Sequence, residues 1–143
     1  MSAAQGSGAA PPRVLVIDDS EGLRRYLAEL LELRGWAVDT AADGRRGLDL
    51  LDAGAAPDVV ILDVMMPPPD GLETLRRMRA KFPMLPVVML SVVGKTETIV
   101  EAMRLGAHDY LNKPFEEDEL LRTLASALRG PESVERDPGD EAG

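Results

Sequence analysis

The chain contains no cysteine, a single histidine and few aromatic residues, two Phe, two Tyr and one Trp. Without cysteine there is no disulfide framework, no thiolate metal site and no cysteine nucleophile, which fits a reducing compartment. Nowhere does an uninterrupted apolar stretch reach the roughly 20 residues that a membrane-spanning helix needs. Residues 1–12 lack the basic start and apolar stretch of a secretory signal. They read as a flexible leader, and a cytoplasmic protein is expected. Positive charge is also short: the formal net charge is -9 and the pI about 4.6. That argues against broad binding to nucleic acid or anionic membranes and suits a cation site.

What is present is one domain's worth of alternating patterns. At 143 residues and 45% hydrophobic, the chain has room for one substantial core. Apolar runs at 13–17, 59–62, 87–90 and about 108–111 read as strands, and 36–41 as a shorter, more exposed one. Ser20 can cap a helix whose Leu23, Leu27, Leu30 and Leu31 share a face, and that helix stops at Gly35. Asp43 can cap a second, with Leu48 and Leu51 inward, before Gly54 and Pro57 end it. A third carries Leu72, Leu75 and Met78 on one side, and Pro83 and Pro86 bracket the turn after it. A fourth, at about 96–105, is expected to bury Ile99 and Met103 before Gly106 closes it. The last should place Leu120, Leu124 and Leu128 together, up to Gly130-Pro131. Residues 130–143 are acidic and poor in apolar side chains, and read as a disordered tail or a truncated linker. Five strands alternating with five helices predict an α/β fold over 13–129, a parallel sheet covered on both faces. Right-handed crossovers favour the doubly wound, flavodoxin-like order 2-1-3-4-5.

Each of four apolar runs meets polar residues at its end: Asp18-Asp19, Asp63, Ser91 and Lys113. Singly these are ordinary capping or loop residues. Strand ends of an open parallel sheet converge on one edge, however, outside which ligands bind. Three carboxylates in one crevice raise one another's pKa unless a cation intervenes. Mg²⁺, which takes oxygen ligands and shares carboxylates with phosphates, suits them, and Mn²⁺ is an alternative. Asp63 could then accept a phosphoryl group. Ser91 offers a hydroxyl to a phosphoryl oxygen, and Lys113 a mobile positive charge. Lys113-Pro114 lies at a turn where a cis bond is conceivable, although trans is far commoner in general.

The segments Val16-Ile17-Asp18-Asp19-Ser20, Ile61-Leu62-Asp63-Val64-Met65-Met66-Pro67, Asp70-Gly71-Leu72-Glu73, Met89-Leu90-Ser91 and Gly106-Ala107-His108-Asp109-Tyr110-Leu111-Asn112-Lys113-Pro114-Phe115 resemble the receiver domain of bacterial two-component response regulators. Five motifs fall in order over about 13–129. The resemblance implies a signalling domain rather than an enzyme, with Asp63 phosphorylated by a sensor histidine kinase. It further implies that Asp18, Asp19, Asp63 and the backbone carbonyl of Met65 hold Mg²⁺, and that Lys113 and Ser91 contact the phosphoryl group. Ser91 and Tyr110 would be the switch pair, and the bond before Pro114 would be cis. An output domain or separate effector, and a phosphorylation-dependent homodimer, are the implied partners.

Two departures stand out. Residues 67–69 are all proline, where the family usually has glycine and an apolar residue before the aspartate, and Val92 follows the serine where a small residue is common. Both are expected to alter access to Asp63. A degenerate receiver serving as a constitutive docking module is an alternative, but every acceptor-site residue is retained. An aspartyl phosphohydrolase would need a second aspartate at position 65, which is Met. A flavin site would need a hydroxyl-rich loop where Asp18-Asp19 stand. His108 reads as a strand residue rather than a phosphorelay centre.

Overall fold

A computed structural model describes residues 10–129. The expected tail, and the leader as far as residue 9, lie outside them. Five strands, β1 (Arg13–Ile17), β2 (Ala37–Ala41), β3 (Val59–Asp63), β4 (Val87–Val92) and β5 (Asp109–Lys113), alternate with five helices. The helices are α1 (Glu21–Leu33), α2 (Gly44–Asp52), α3 (Gly71–Lys81), α4 (Thr96–Arg104) and α5 (Glu117–Arg129). All strand pairs are parallel, in the order β2-β1-β3-β4-β5. The expected doubly wound fold is thus the one observed. Among the described residues no helix is long and apolar enough to cross a membrane.

The period of two along each strand divides the core. Val14 and Val16 of β1, Val59 and Ile61 of β3, and Val88 and Leu90 of β4 pack with Leu27, Leu31, Leu120 and Leu124 under α1 and α5. Their neighbours Leu15, Ile17, Val60, Leu62, Val87 and Met89 pack with Leu51, Leu75, Met78 and Ala102 under α2, α3 and α4. Because both faces are covered, β3 is buried along its whole length, which is why these runs read as continuously apolar. Ser20, Asp43 and Asp70 cap α1, α2 and α3 by accepting from the amides of Leu23, Arg46 and Glu73.

Three expectations need correction. Met103 and Leu128 are exposed, and Ala102 and Ala127 turn inward in their place. The buried stripes step by three as well as four residues, and alanine lets the helix lie close to the sheet. The fifth strand runs two residues past Leu111, so Asn112 and Lys113 pair with Ser91 and Val92. A backbone ladder forms whatever the polarity of the side chain, so Asp63, Ser91 and Lys113 lie within the ends of their strands, whereas Asp18 and Asp19 follow β1 as expected. Arg79, unremarked in the sequence, closes the turn after α3 by donating to the carbonyls of Phe82, Pro83 and Leu85. Burial lowers its pKa.

Gly71 opens α3 with its α-carbon against the main chain of β3's end. A β-carbon there would collide with the carbonyl of Asp63 and the α-carbon of Val64. Backbone cannot rotate away as a side-chain tip can, so Gly71→Ala should destabilise the domain by about 1–3 kcal/mol. Urea unfolding checks this, and an unchanged midpoint would show that the contact is not tight.

Candidate functional site

β1 and β3 are neighbours and end on the same edge, with Ile17 opposite Leu62. Asp18 and Asp63, one residue further along each chain, therefore stand side by side. Both are buried, at 0% and 3% exposure, while Asp19 is exposed. One carboxylate oxygen from each of the three lies within 4.8 Å of the others. Lys113 reaches in from the end of β5, its Nζ donating to Asp18 Oδ2 at 3.1 Å and to Asp63 Oδ1 at 3.3 Å. The same Asp63 oxygen accepts from the amide of Met65 at 3.2 Å, and Asp18 Oδ1 from the amide of Ser20 at 2.8 Å.

The charge balance is uneven. Burial, and then the Asp18 carboxylate, push the Asp63 pKa up from 3.8 to about 6, against the pull of Lys113 and of the Met65 amide. For Lys113 burial works against the charged form, but Asp63 and Asp18 outweigh it and the pKa is raised. Two buried carboxylates thus share one ammonium, and Asp63 carries the excess. A hard cation would relieve it. The donor set of three carboxylates, all oxygen, fits Mg²⁺ or Mn²⁺ and offers nothing to a soft metal.

The remaining expected residues lie around this cluster at different removes. Ser91 is buried one residue beyond Leu90, which pairs with Asp63 across the β3–β4 ladder, and its hydroxyl donates to the carbonyl of Val92 at 3.2 Å. Tyr110, opposite Met89 in β5, turns its ring outward and is 41% exposed. The Met65 side chain is also exposed, and the Lys113–Pro114 bond is cis. Sequence reading missed Arg24, whose Nη1 donates to the carbonyl of Asp18 at 2.8 Å. No pattern marks a long side chain that folds back on its own loop.

Residues 14–125 match the model of the response regulator receiver domain. The chain belongs to this family. The receiver is 43% identical over 119 residues to response regulator MprA of Mycolicibacterium vanbaalenii, covering 83% of this chain and 51% of that protein. It is 40% identical over 117 residues to regulatory protein AtoC of Escherichia coli, covering 82% of this chain and 25% of that protein. It therefore spans about half or less of these relatives' lengths. Among solved structures, chemotaxis protein CheY4 of Vibrio cholerae superposes with a TM-score of 0.78 at 36% identity, over 83% of this chain and all of that one. NtrX of Brucella abortus gives 0.80 at 35%, over 88% of this chain and 28% of that one.

The raised Asp63 pKa predicts a pH signature for the cation-free receiver. The native state holds the Asp63 proton more tightly than the unfolded chain, so the stability this contributes is complete below about pH 4 and is lost as pH rises through about 6. Asp63→Asn escapes that loss. In EDTA its advantage over the parent should grow across this interval to about 3 kcal/mol and stay constant above it. Urea unfolding at several pH values tests this, and a pH-independent difference would contradict it.

Proposed function

We propose that this receiver accepts a phosphoryl group on Asp63 from the phosphohistidine of a sensor histidine kinase, in a reaction that requires Mg²⁺. The observation that carries this reading is the buried Asp63 carboxylate, set beside Asp18 and Asp19 and held by Lys113. One Asp63 oxygen accepts from Lys113 and Met65. The other accepts no hydrogen bond among the described residues and is free to attack phosphorus. As that oxygen–phosphorus bond forms, the phosphorus–nitrogen bond of the donor breaks and the imidazole leaves with the electron pair. Asp18, Asp19, Asp63 and the Met65 carbonyl would hold Mg²⁺, which supplies positive charge to the phosphoryl oxygens and relieves the carboxylate repulsion. Lys113, on the Asp18 and Asp63 carboxylates before transfer, then pairs with the phosphate. Later attack by water on phosphorus returns the free carboxylate.

A phosphoryl group has more charge and more acceptor oxygens than the carboxylate it modifies. Ser91 could then exchange its present acceptor, the Val92 carbonyl, for a phosphoryl oxygen. The outward ring of Tyr110 on the neighbouring strand would turn into the space so opened. The face presented by α4 and β5 changes with that shift, and this is the signal offered to an output domain or a separate effector, or to a second copy as a homodimer. Relatives named transcriptional regulatory proteins are nearly twice as long as the segment they share with this chain, which supports an output domain. A cytoplasmic setting follows from the kinase partner. A degenerate docking module is disfavoured, because nothing in such a module would require the buried Asp18–Lys113–Asp63 arrangement.

Incubation with a small acyl phosphate and Mg²⁺ should add one phosphoryl group by mass, stable in acid and lost in base. Neither Asp63→Asn nor the parent in EDTA should acquire it. Modification of Asp63→Asn to the parent's extent would sink the assignment. Val92 is 40% exposed beside Ser91, and Pro68 is exposed in the loop after β3. Val92→Ala and Pro68→Gly should each speed phosphorylation and hydrolysis by opening the approach to Asp63. Rates equal to the parent's would remove that idea.

A further inference from the structure

All four polar atoms of Asp18 are held, each by a different group. Its amide donates to the Ala41 carbonyl at the end of β2, and its carbonyl accepts from Arg24 of α1 at 2.8 Å. Its carboxylate accepts from the amide of Ser20 and from Lys113. Asp19 is different: among the described residues its carboxylate makes no hydrogen bond or ion pair, and it is exposed. What directs Asp19 toward the other two carboxylates is therefore its backbone. The Asp18 carbonyl and the Asp19 nitrogen belong to one rigid peptide plane. Gripping that oxygen fixes the plane and so the direction in which the Asp19 side chain departs.

We propose that Arg24 is a positioning residue for the cation site, acting through the Asp18–Asp19 peptide rather than through its charge. The inference rests on the Mg²⁺ reading above. Of the groups that hold Asp18, two are backbone amide or carbonyl contacts and one is Lys113, which belongs to the phosphoryl site. Arg24 is the side chain whose task is separable from the chemistry. It sits in the second turn of α1, whose first turn Ser20 caps, and its own amide donates to the Ser20 carbonyl at 3.0 Å. The helix that begins at this loop thus reaches back to hold the loop's main chain.

The two possible roles of an arginine here predict opposite signs. A positive charge close to a divalent cation repels it, so if Arg24 acted only by charge, its removal would tighten Mg²⁺ binding. If it positions the peptide, its removal weakens binding. Isothermal titration with MgCl₂ at constant ionic strength, on the parent, Arg24→Met and Arg24→Lys, reads this directly. Met keeps the apolar stem and loses the donors, whereas Lys keeps a donor able to reach a carbonyl. Arg24→Met should weaken Mg²⁺ by about ten-fold, the range known for residues that orient metal ligands. Arg24→Lys should recover most of that loss. Unfolding in EDTA shows whether Arg24→Met is folded, and should it not be, the parent-to-Lys comparison and an Arg24→Gln variant carry the same test. Affinity that is unchanged or tighter in Arg24→Met, or as weak in Arg24→Lys as in Arg24→Met, overturns the proposal. A parent that binds no Mg²⁺ would instead remove the cation reading itself, and this inference with it.

Discussion

Three carboxylates whose oxygens approach within 4.8 Å, two of them on buried residues, repel one another, and the end of the sheet is organised around containing that repulsion. Lys113 offsets part of it from the last position of β5, and backbone amides of Ser20 and Met65 offset a little more. The balance remains negative. Asp63 consequently holds its proton up to about pH 6, well above an ordinary aspartate. A site in this condition gains from any added positive charge, and a hard cation with oxygen ligands is the natural supplement.

The rest of the fold explains how so unfavourable a cluster is tolerated. Parallel strands buried on both faces are rigid, and β1 and β3 lie side by side with all but one of their residues buried. The loops that leave them are pinned from several directions. Gly71 lets α3 begin directly against the carbonyl of Asp63, and Arg24 holds the carbonyl of Asp18. Desolvation and like-charge contact therefore cannot be relieved by the loops drifting into solvent. The same confinement is what raises the Asp63 pKa.

Much of this could be read along the chain. Apolar runs and helix caps placed the elements to within a few residues, and Ser20 and Asp43 cap as their types suggest. The polar residues at strand ends pointed to one edge because α/β topology leaves them nowhere else to go. Where reading failed, the cause was packing. Met103 and Leu128 looked inward by helical spacing, yet the sheet took Ala102 and Ala127 because a small side chain permits closer approach. β5 looked two residues shorter because Asn112 and Lys113 are polar, although backbone pairing is indifferent to that.

By itself the sequence determined the order of the elements, the class of fold and the family, since these follow from local periodicity and from short motifs in fixed succession. Tertiary structure alone decided that Asp18 and Asp63 are buried while Asp19 is exposed, and that one ammonium serves two carboxylates. The physical reason is range. Periodicity is set by neighbours a few residues away, whereas burial and Coulomb energy depend on distances through space between residues as far apart as Asp18 and Lys113.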